Sequence, residues 1–418
     1  MIFEKMKGVM FSLIMVFLTV TLITLITLQT SLVSHRREQL AIETRINSMN
    51  NLYESIVRDV KKSLNIISRR AMSVAFSNVS MRGYGLNEAN ETLVELILSG
   101  TLEGSPMKLM ENATFPEWVD RIENVSLLKG FNTTIDVKNL VIKPYDSFNL
   151  EIDVDMYVNI TDLQGVATLN RYTSAISIVD IEDLADPIYP LYTGGLGANT
   201  IKKSPFEGNY TQLLLSGDGN NGWIYGESVN VTWTDAVGVS DKAEKILVAD
   251  HAELIASSTL NQFMGIVSDF GTSQTTKPYV NNTVDATKKI SSGMNILVDG
   301  NSNKVWFIDN LIEDTENSYY HSSENGTSYL DRLEGRLYID SKYSSQTDKT
   351  IGLESFVNKN YLWSAGITVI EDKTNVDYIY FSVNSPAVSK VKGLDENFRI
   401  DDEDNHQETY NVTELLTS

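Results

Sequence analysis

The chain contains no cysteine among its 418 residues. Disulfides cannot form, and thiol nucleophiles and thiolate metal sites are excluded. A chain of this length, 42% hydrophobic, buries enough apolar surface to fold without covalent cross-links. We therefore expect one or two globular domains.

Basic residues are scarce. The 34 Lys and Arg residues face 55 Asp and Glu residues, which gives a formal net charge of −21. Proteins that bind nucleic acids present basic patches, so this balance argues against a nucleic acid partner. It favours a well-solvated, self-repelling acidic surface.

The familiar catalytic motifs are missing as well. The sequence has no H-E-x-x-H, no G-x-S-x-G and no P-loop, and its four histidines are not spaced as metal ligands. His251 lies between Asp250 and Glu253, where a structural or surface histidine is favoured over an acid/base role. We predict no catalytic residue, while a pair of carboxylates that meet only in space stays open as a route to hydrolysis.

We expect no cofactor, but one loop leaves calcium binding as an alternative. Asp299, Asn301 and Asn303 begin like a calcium-binding loop, but Lys304 and Asn310 stand where that loop needs glycine and a bidentate glutamate. Asp, Gly and Asn are also expected in a hairpin turn for backbone reasons. We therefore expect a hairpin here and no cofactor.

Charge is absent from Val9 to Val33, and glycine and proline are absent from Val9 to Phe76. An apolar run of this length exceeds the 20 or so residues that span a bilayer as a helix. Beyond it, apolar residues recur every three or four positions from Ile42 to Val74, which predicts a helix with one packed face. That face either docks on the chain's own domain or packs against copies of itself.

Downstream the pattern changes. Two short helices are predicted over 88–99 and from Pro116 to near Gly130, and then Leu150 to Ile160 alternate apolar and polar residues as a half-buried strand does. Further strands are predicted downstream, with one later helix over 245–267. The predicted strands are 134–142, 167–181, 228–233, 294–298 paired with 304–308, 335–339 and 376–383.

The fold class that follows is α+β, with mainly antiparallel sheets built on a long N-terminal helix. The predicted segments are a basic leader-like stretch (1–8), a transmembrane helix (9–33), an amphipathic helical stalk (34–76), short helices (77–130), a β-rich extracellular region (131–400) with a possible joint near 194–221, and an acidic tail (401–418) expected to be disordered.

Sequons favour one orientation in the membrane. Basic residues lie on both sides of the run, so their count favours neither orientation. Glycans are added to sequons on the exported side, which predicts a cytoplasmic N-terminus and an extracellular bulk. The glycosylation candidates are Asn78, Asn90, Asn112, Asn124, Asn132, Asn159, Asn209, Asn230, Asn281, Asn325 and Asn411.

The N-terminus resembles precursors of archaeal type IV pilins. The resemblance lies in Lys5, Lys7 and Gly8, followed by a hydrophobic helix that continues as an amphipathic one. It implies cleavage by a prepilin peptidase after Gly8, so that Val9 becomes the new N-terminus, and bundling of the apolar helices in a filament core. Leu13 stands where bacterial-type pilins carry glutamate, and the region after the helix is larger than that of a typical major pilin.

The C-terminal half resembles uncharacterised archaeal surface proteins that pair such an anchor with a large exported region. The residues concerned are 333–335, 352–358 and 376–382. This resemblance implies no activity. The residues nominated for a binding face are instead two aromatic pairs, Trp223 with Tyr225 and Tyr319 with Tyr320.

These observations predict a membrane-anchored extracellular structural or interaction protein of pilin-like architecture, acting as a minor or tip subunit, an adhesin or a scaffold. Its expected partners are the membrane, through 9–33, and itself or other pilin-like subunits, through the N-terminal helix. The alternatives are a single-span ectodomain that binds a sugar or cell-envelope ligand, and an anchored envelope hydrolase.

Overall fold

The computed structural model describes residues 2–215 and 304–417, together with seven short strands between residues 221 and 299. Side chains are described for residues 10–211, for residue 306 and for residues 308–417. The helices of this part are α1 (Ile2–Arg82), α2 (Ala89–Ser99), α3 (Phe115–Leu128), α4 (Ile188–Tyr192), α5 (Asp309–Asn317), α6 (Tyr329–Leu333), α7 (Ser341–Ser344), α8 (Lys359–Ser364), α9 (Asp377–Phe381) and α10 (His406–Thr409).

The strands are β1 (Thr101–Leu102), β2 (Ser105–Pro106), β3 (Phe131–Asp146), β4 (Asn149–Asp162), β5 (Thr168–Asp180), β6 (Gln212–Leu215), β7 (Asn221–Gly222), β8 (Ser228–Val229), β9 (Val231–Thr234), β10 (Ile246–Ala249), β11 (Met264–Val267), β12 (Thr275–Thr276), β13 (Ile296–Asp299), β14 (Lys304–Phe307), β15 (Tyr320–Ser323), β16 (Gly352–Ser355), β17 (Val388–Val391), β18 (Ile400–Asp401) and β19 (Leu416–Thr417). The predicted α+β class is confirmed, with a long N-terminal apolar helix and antiparallel sheets.

Helix α1 is one uninterrupted element of 81 residues, about 120 Å long at 1.5 Å per residue. The predicted transmembrane helix and stalk are therefore parts of a single helix. This helix also continues past the predicted end at Phe76, to Arg82. It stops at Gly83, whose φ of 72° is a left-handed conformation that glycine adopts without strain.

The C-terminal part of α1 is the spine of the main core. Burial begins at Met49 and continues at Ile56, Val60, Leu64 and further residues to Val79, which confirms that the apolar face docks on the chain's own domain over this range. The facing surface is a three-stranded antiparallel sheet in the order β3-β4-β5. The predicted alternation along β4 is confirmed, because every second residue from Leu150 points into the core.

Polar contacts hold α1 along the edge strand β5. Asn65 donates to the carbonyl of Ile178 at 3.1 Å, and Arg69 donates to the carbonyls of Asp180 and Glu182, both at 2.7 Å. These bonds satisfy backbone carbonyls that a strand edge otherwise leaves to solvent. The helix is thereby fixed in both position and rotation against the sheet.

Helices α2 and α3 lie where the sequence predicts two short helices. Gly100 ends α2 in the left-handed conformation, and Glu88 is the N-cap residue of this helix. Thr114 and Glu117 form a reciprocal capping box at the start of α3, with Pro116 in its first turn. Both helices cover the end of the core next to α1.

A second hydrophobic core lies in the C-terminal third of the chain. It includes Leu311 of α5, Phe356, Ile400 of β18 and Tyr410. The segment 194–211, part of the predicted joint, connects the two, since Ile201 packs in the main core and Tyr210 in the second. Residues 216–220 of that joint lie outside the described residues.

The C-terminal segment is folded, so the prediction of a disordered tail is wrong. Val412 and Leu415 are buried, and β17 pairs with both β18 and β19. The acidic residues 402–404 face outward while the apolar ones pack into the second core. The run of acidic residues at 402–404 forms only the exposed face of this folded segment.

Three secondary-structure predictions are wrong. Within the helix predicted over 245–267, residues 246–249 and 264–267 are instead the strands β10 and β11, which pair in parallel with each other, and β10 also pairs in parallel with β9. Residues 245 and 250–263 of that prediction lie outside the described residues. Residues 335–339 form no strand but a turn at Gly335, which has a φ of 71°, followed by a bend at 337–338. Residues 377–381 form the helix α9, where packing of Asp377 against buried polar partners outweighs the local β propensity.

Candidate functional site

The N-terminal half of α1 presents an uncovered apolar surface. From Met10 to Val33 all the described side chains are exposed, with Phe17 71% exposed. Within the described residues, α1 is the one helix long and apolar enough to cross a membrane. An apolar surface of this extent needs lipid or other helices around it, because contact with water is unfavourable.

The threonine hydroxyls within this run are satisfied by the helix itself. Thr19, Thr24, Thr27 and Thr30 each donate to the carbonyl four residues earlier, at 2.7–3.0 Å. Thr21 makes the same bond to Phe17 at 3.0 Å. A polar group without a partner is expensive in hydrocarbon, so these bonds lower the cost of placing the threonines in a bilayer.

Between the run and the domain lies a bare stretch of helix. Leu40, Ile42 and Ile46 remain exposed there, and Ile42 and Ile46 continue the stripe that becomes buried at Met49. Residues 34–44, which precede the first domain contact at Arg45, extend over about 15 Å of helix axis. This stretch separates the base of the domain from the end of the apolar run.

The residues of the possible processing site, Gly8 and Val9, lie within the helical backbone of α1. They directly precede the exposed run that begins at Met10. No contact from the domain is described near them, because the first buried residue of α1 is Met49. The described structure thus leaves this end of the helix away from the domain.

Most described sequons lie on the surface. The Asn side chains of 90 and 159 are half-buried, and that of Asn78 is buried in α1 with no hydrogen-bond partner for its Oδ1. A glycan at Asn78 is incompatible with this packing. Asn230 and Asn281 lie outside the described residues. The exposed sequon residues are Asn112, Asn124, Asn132, Asn209, Asn325 and Asn411.

The nominated aromatic residues do not form one exposed face in the described part of the chain. Tyr319 is half-buried and Tyr320 is fully buried, with its hydroxyl donating to Asp186 at 2.7 Å. Tyr320 is therefore a core residue and not part of a binding face. Trp223 and Tyr225 lie outside the described residues.

A buried cluster centres on Arg332. Its Nη1 lies 2.5 Å from Asp186 Oδ2 and 2.9 Å from Asp377 Oδ2, and none of the three side chains is exposed. Ser355 also donates to Asp377, at 2.9 Å. Burial raises the pKa of Asp377, and the Arg332 guanidinium opposes that shift. The cluster joins α6 and α9 to the segment before α4.

Two more buried clusters surround histidines. His321 places its Nε2 2.6 Å from Asp314 Oδ2 and its Nδ1 2.7 Å from the Tyr210 hydroxyl. This cluster ties β15 to α5. Ser204 donates to the other oxygen of Asp314 at 2.6 Å, so the carboxylate is bonded at both ends.

His406 lies between two carboxylates. Its Nδ1 is 2.9 Å from Asp401 Oδ1, and its Nε2 is 3.4 Å from Glu354 Oε2. Tyr410 donates to the other oxygen of Glu354. Burial acts to lower the pKa of His406, but the two carboxylates prevail and raise it to about 10, so the ring is a buried imidazolium at neutral pH.

These clusters are suited to holding segments together. Arg332 and the two histidines are each almost fully buried, and their partners come from separate segments of the chain. In the part of the chain that the structure describes, no group of three His, Asp or Glu side chains is arranged to hold a metal ion. The calcium alternative rests on residues 299–303, of which 300–303 lie outside the described residues; Asp299 pairs with Lys304 in the predicted β13–β14 hairpin.

The sequence contains one feature that indicates a folded segment around His406, although the segment was predicted to be disordered. Residues 400–416 contain Ile400, Tyr410, Val412 and Leu415 among the acidic residues, and a disordered tail has few such apolar residues. The Arg332 cluster had no comparable signal. Its aspartates lie 146 and 45 residues away along the chain.

Comparisons with protein-family models, with curated proteins and with solved structures find no match to this chain.

Proposed function

We propose that this protein is a membrane-anchored extracellular structural or interaction protein of pilin-like architecture, acting as a minor or tip subunit, an adhesin or a surface scaffold. One observation carries the proposal. A single helix, α1, is exposed throughout its uncharged, mainly apolar part from Met10 to Val33 and becomes the spine of the domain core from Met49. The proposed anchor and the central helix of the domain are thus parts of one continuous helix.

The continuity of α1 has a mechanical consequence. Pulling on the apolar end of a helix loads its other end directly, with no flexible linker between them. The domain resists this load through the packed stripe from Met49 to Val79 and through the bonds from Asn65 and Arg69 to the sheet edge. Such a design suits a subunit that is held in a membrane or filament while its domain contacts something outside.

The surface chemistry supports an exported domain. Six described sequons have exposed asparagines, and they are distributed over α3, β3 and the loops of the second core. The chain carries a net charge of −21, which keeps such a surface well solvated. The uncovered α1 surface and the resemblance of residues 5–9 to pilin precursors favour self-association through the helix.

The absence of cysteine provides a direct test. Single cysteines at Glu324, exposed on the domain, and at Leu18, exposed on the apolar run, are labelled with a membrane-impermeant maleimide on intact cells. We expect E324C to react on intact cells, because the domain faces outward. We expect L18C to react only after denaturation, because lipid or neighbouring helices cover it.

The unmodified chain, which has no thiol, is the background control. Labelling of E324C only after lysis would contradict an extracellular domain. Labelling of L18C at the same rate as E324C would contradict a membrane or filament environment for the run.

A further inference from the structure

A polar cleft opens on the domain between three segments of the chain. Its volume is about 330 Å³, within the range of small-molecule sites. The walls come from the loop after α4, from the end of α5 and from the start of α8. Tyr189 lies at its buried side, and Tyr361, 44% exposed, lies at its open side.

Two amides of the cleft are fixed in place by the fold. Asn199 donates to the Tyr320 hydroxyl at 3.0 Å and accepts from the amide of Thr200 at 2.9 Å. Asn358 donates to the carbonyl of Glu316 at 3.0 Å and accepts from the amide of Tyr361 at 3.0 Å. Each amide oxygen retains a second lone pair for a ligand.

Other polar groups of the cleft are unused. Among the described residues, the Lys202 ammonium, the Glu316 carboxylate and the Tyr361 hydroxyl have no hydrogen-bond partner. The cleft therefore offers donors and acceptors together, beside two aromatic rings. Its one cation and one anion offset each other, so the cleft lacks the excess positive charge that would select a phosphate and the clustered carboxylates that would select a metal ion.

We propose that this cleft binds a neutral saccharide, with a pyranose ring against Tyr361 and its hydroxyls bonded by Asn199, Asn358, Lys202 and Glu316. A sugar is an uncharged ligand that presents both many hydroxyls and an apolar C–H face, and the cleft matches both features. Fixed amides lower the entropic cost of binding because they are already in place. None of the chain's own sequon asparagines lines the cleft.

The test is saturation-transfer NMR with methyl glycosides of glucose, mannose, galactose and N-acetylglucosamine. The full chain is used in lipid nanodiscs, because the head group of a maltoside detergent would compete for the cleft. We expect transfer to the ring protons of at least one of these glycosides. Absence of transfer to all of them would overturn the proposal.

Matched variants locate the site. Tyr361→Ala removes the exposed ring and leaves the backbone bond to Asn358, so it should weaken binding by at least about tenfold. Trp363→Ala removes a ring that is 76% exposed two residues away but outside the cleft, and it should change binding by less than about twofold. Equal binding by the two variants would place the saccharide elsewhere. Membrane orientation does not enter this measurement, so it is independent of the function proposed above.

Discussion

Arg45 and Asp162 join the long helix to the base of the domain. Arg45 Nη2 lies 2.6 Å from Asp162 Oδ1, and the carboxylate is buried at the end of β4. The same guanidinium donates to the carbonyl of Gly130 at 3.1 Å and lies 4.7 Å from the ring centroid of Phe131. On the C-terminal side of this contact, from Met49, α1 is buried against the domain, and on its N-terminal side α1 is exposed.

Arg45→Met should lower the free energy of unfolding by about 1–3 kcal/mol, because it leaves the buried Asp162 carboxylate without its charged donor. Chemical denaturation of the full chain in micelles measures this change. Arg36→Met, on the bare part of the helix, is the matched control and should stay within about 0.5 kcal/mol of the parent. Equal effects of the two variants would mean that the Arg45 contact contributes nothing.

Arg332→Met should be more costly, by about 3–5 kcal/mol, because Asp186 and Asp377 would then be buried without a cation. The same denaturation measurement applies. Adding Asp377→Asn to Arg332→Met removes one of the two uncompensated charges and should recover part of the loss. A double variant less stable than Arg332→Met alone would contradict the role given to the ion pair.

The raised pKa of His406 leads us to expect that stability depends on pH. Its pKa is raised from 6.5 in the unfolded chain to about 10 in the folded one, so its stabilisation is fully present below pH 6.5 and is lost as the pH rises through 10. The difference in unfolding free energy between the parent and His406→Gln should therefore shrink between these values. His35→Gln, on the bare helix, should leave the unfolding free energy unchanged. A difference that stays constant or grows toward pH 10 would refute the charged state assigned to His406.

Gly85 permits a close approach of two backbone segments. A Cβ at this position would lie 2.2 Å from the carbonyl carbon and oxygen of Glu334, next to the bond from the Leu86 amide to the Leu333 carbonyl. Gly85→Ala should destabilise the domain by about 1–3 kcal/mol, or more if the segments separate. Gly83→Ala meets nothing within 4 Å and should cost only the left-handed strain of about 1–2 kcal/mol. A smaller cost for Gly85→Ala than for Gly83→Ala would argue against the close approach.

The sequence predicts the parts of the fold that depend on local pattern. Helix α1 follows from a long stretch without glycine or proline, and β4 follows from its strict alternation. The end of α2 at Gly100 is a local signal as well. These features need no knowledge of distant residues.

The remaining features depend on contacts between distant residues. Residues 377–381 are rich in the aromatic and β-branched residues typical of strands, but they form a helix in which Asp377 reaches Arg332. The histidine clusters and the polar cleft beside Tyr361 likewise combine segments that are far apart in the chain. Residue spacing predicts the structure of one element at a time, so it cannot predict contacts between residues of distant elements.

The mass of the N-terminal peptide, measured on protein isolated from its own membranes, tests the pilin-like architecture most directly. We predict a chain that begins at Val9, cleaved after Gly8 and ready to place the bare part of α1 among neighbouring helices. A chain that still begins at Met1 would contradict pilin-like processing and would leave an ectodomain on a simple helical anchor.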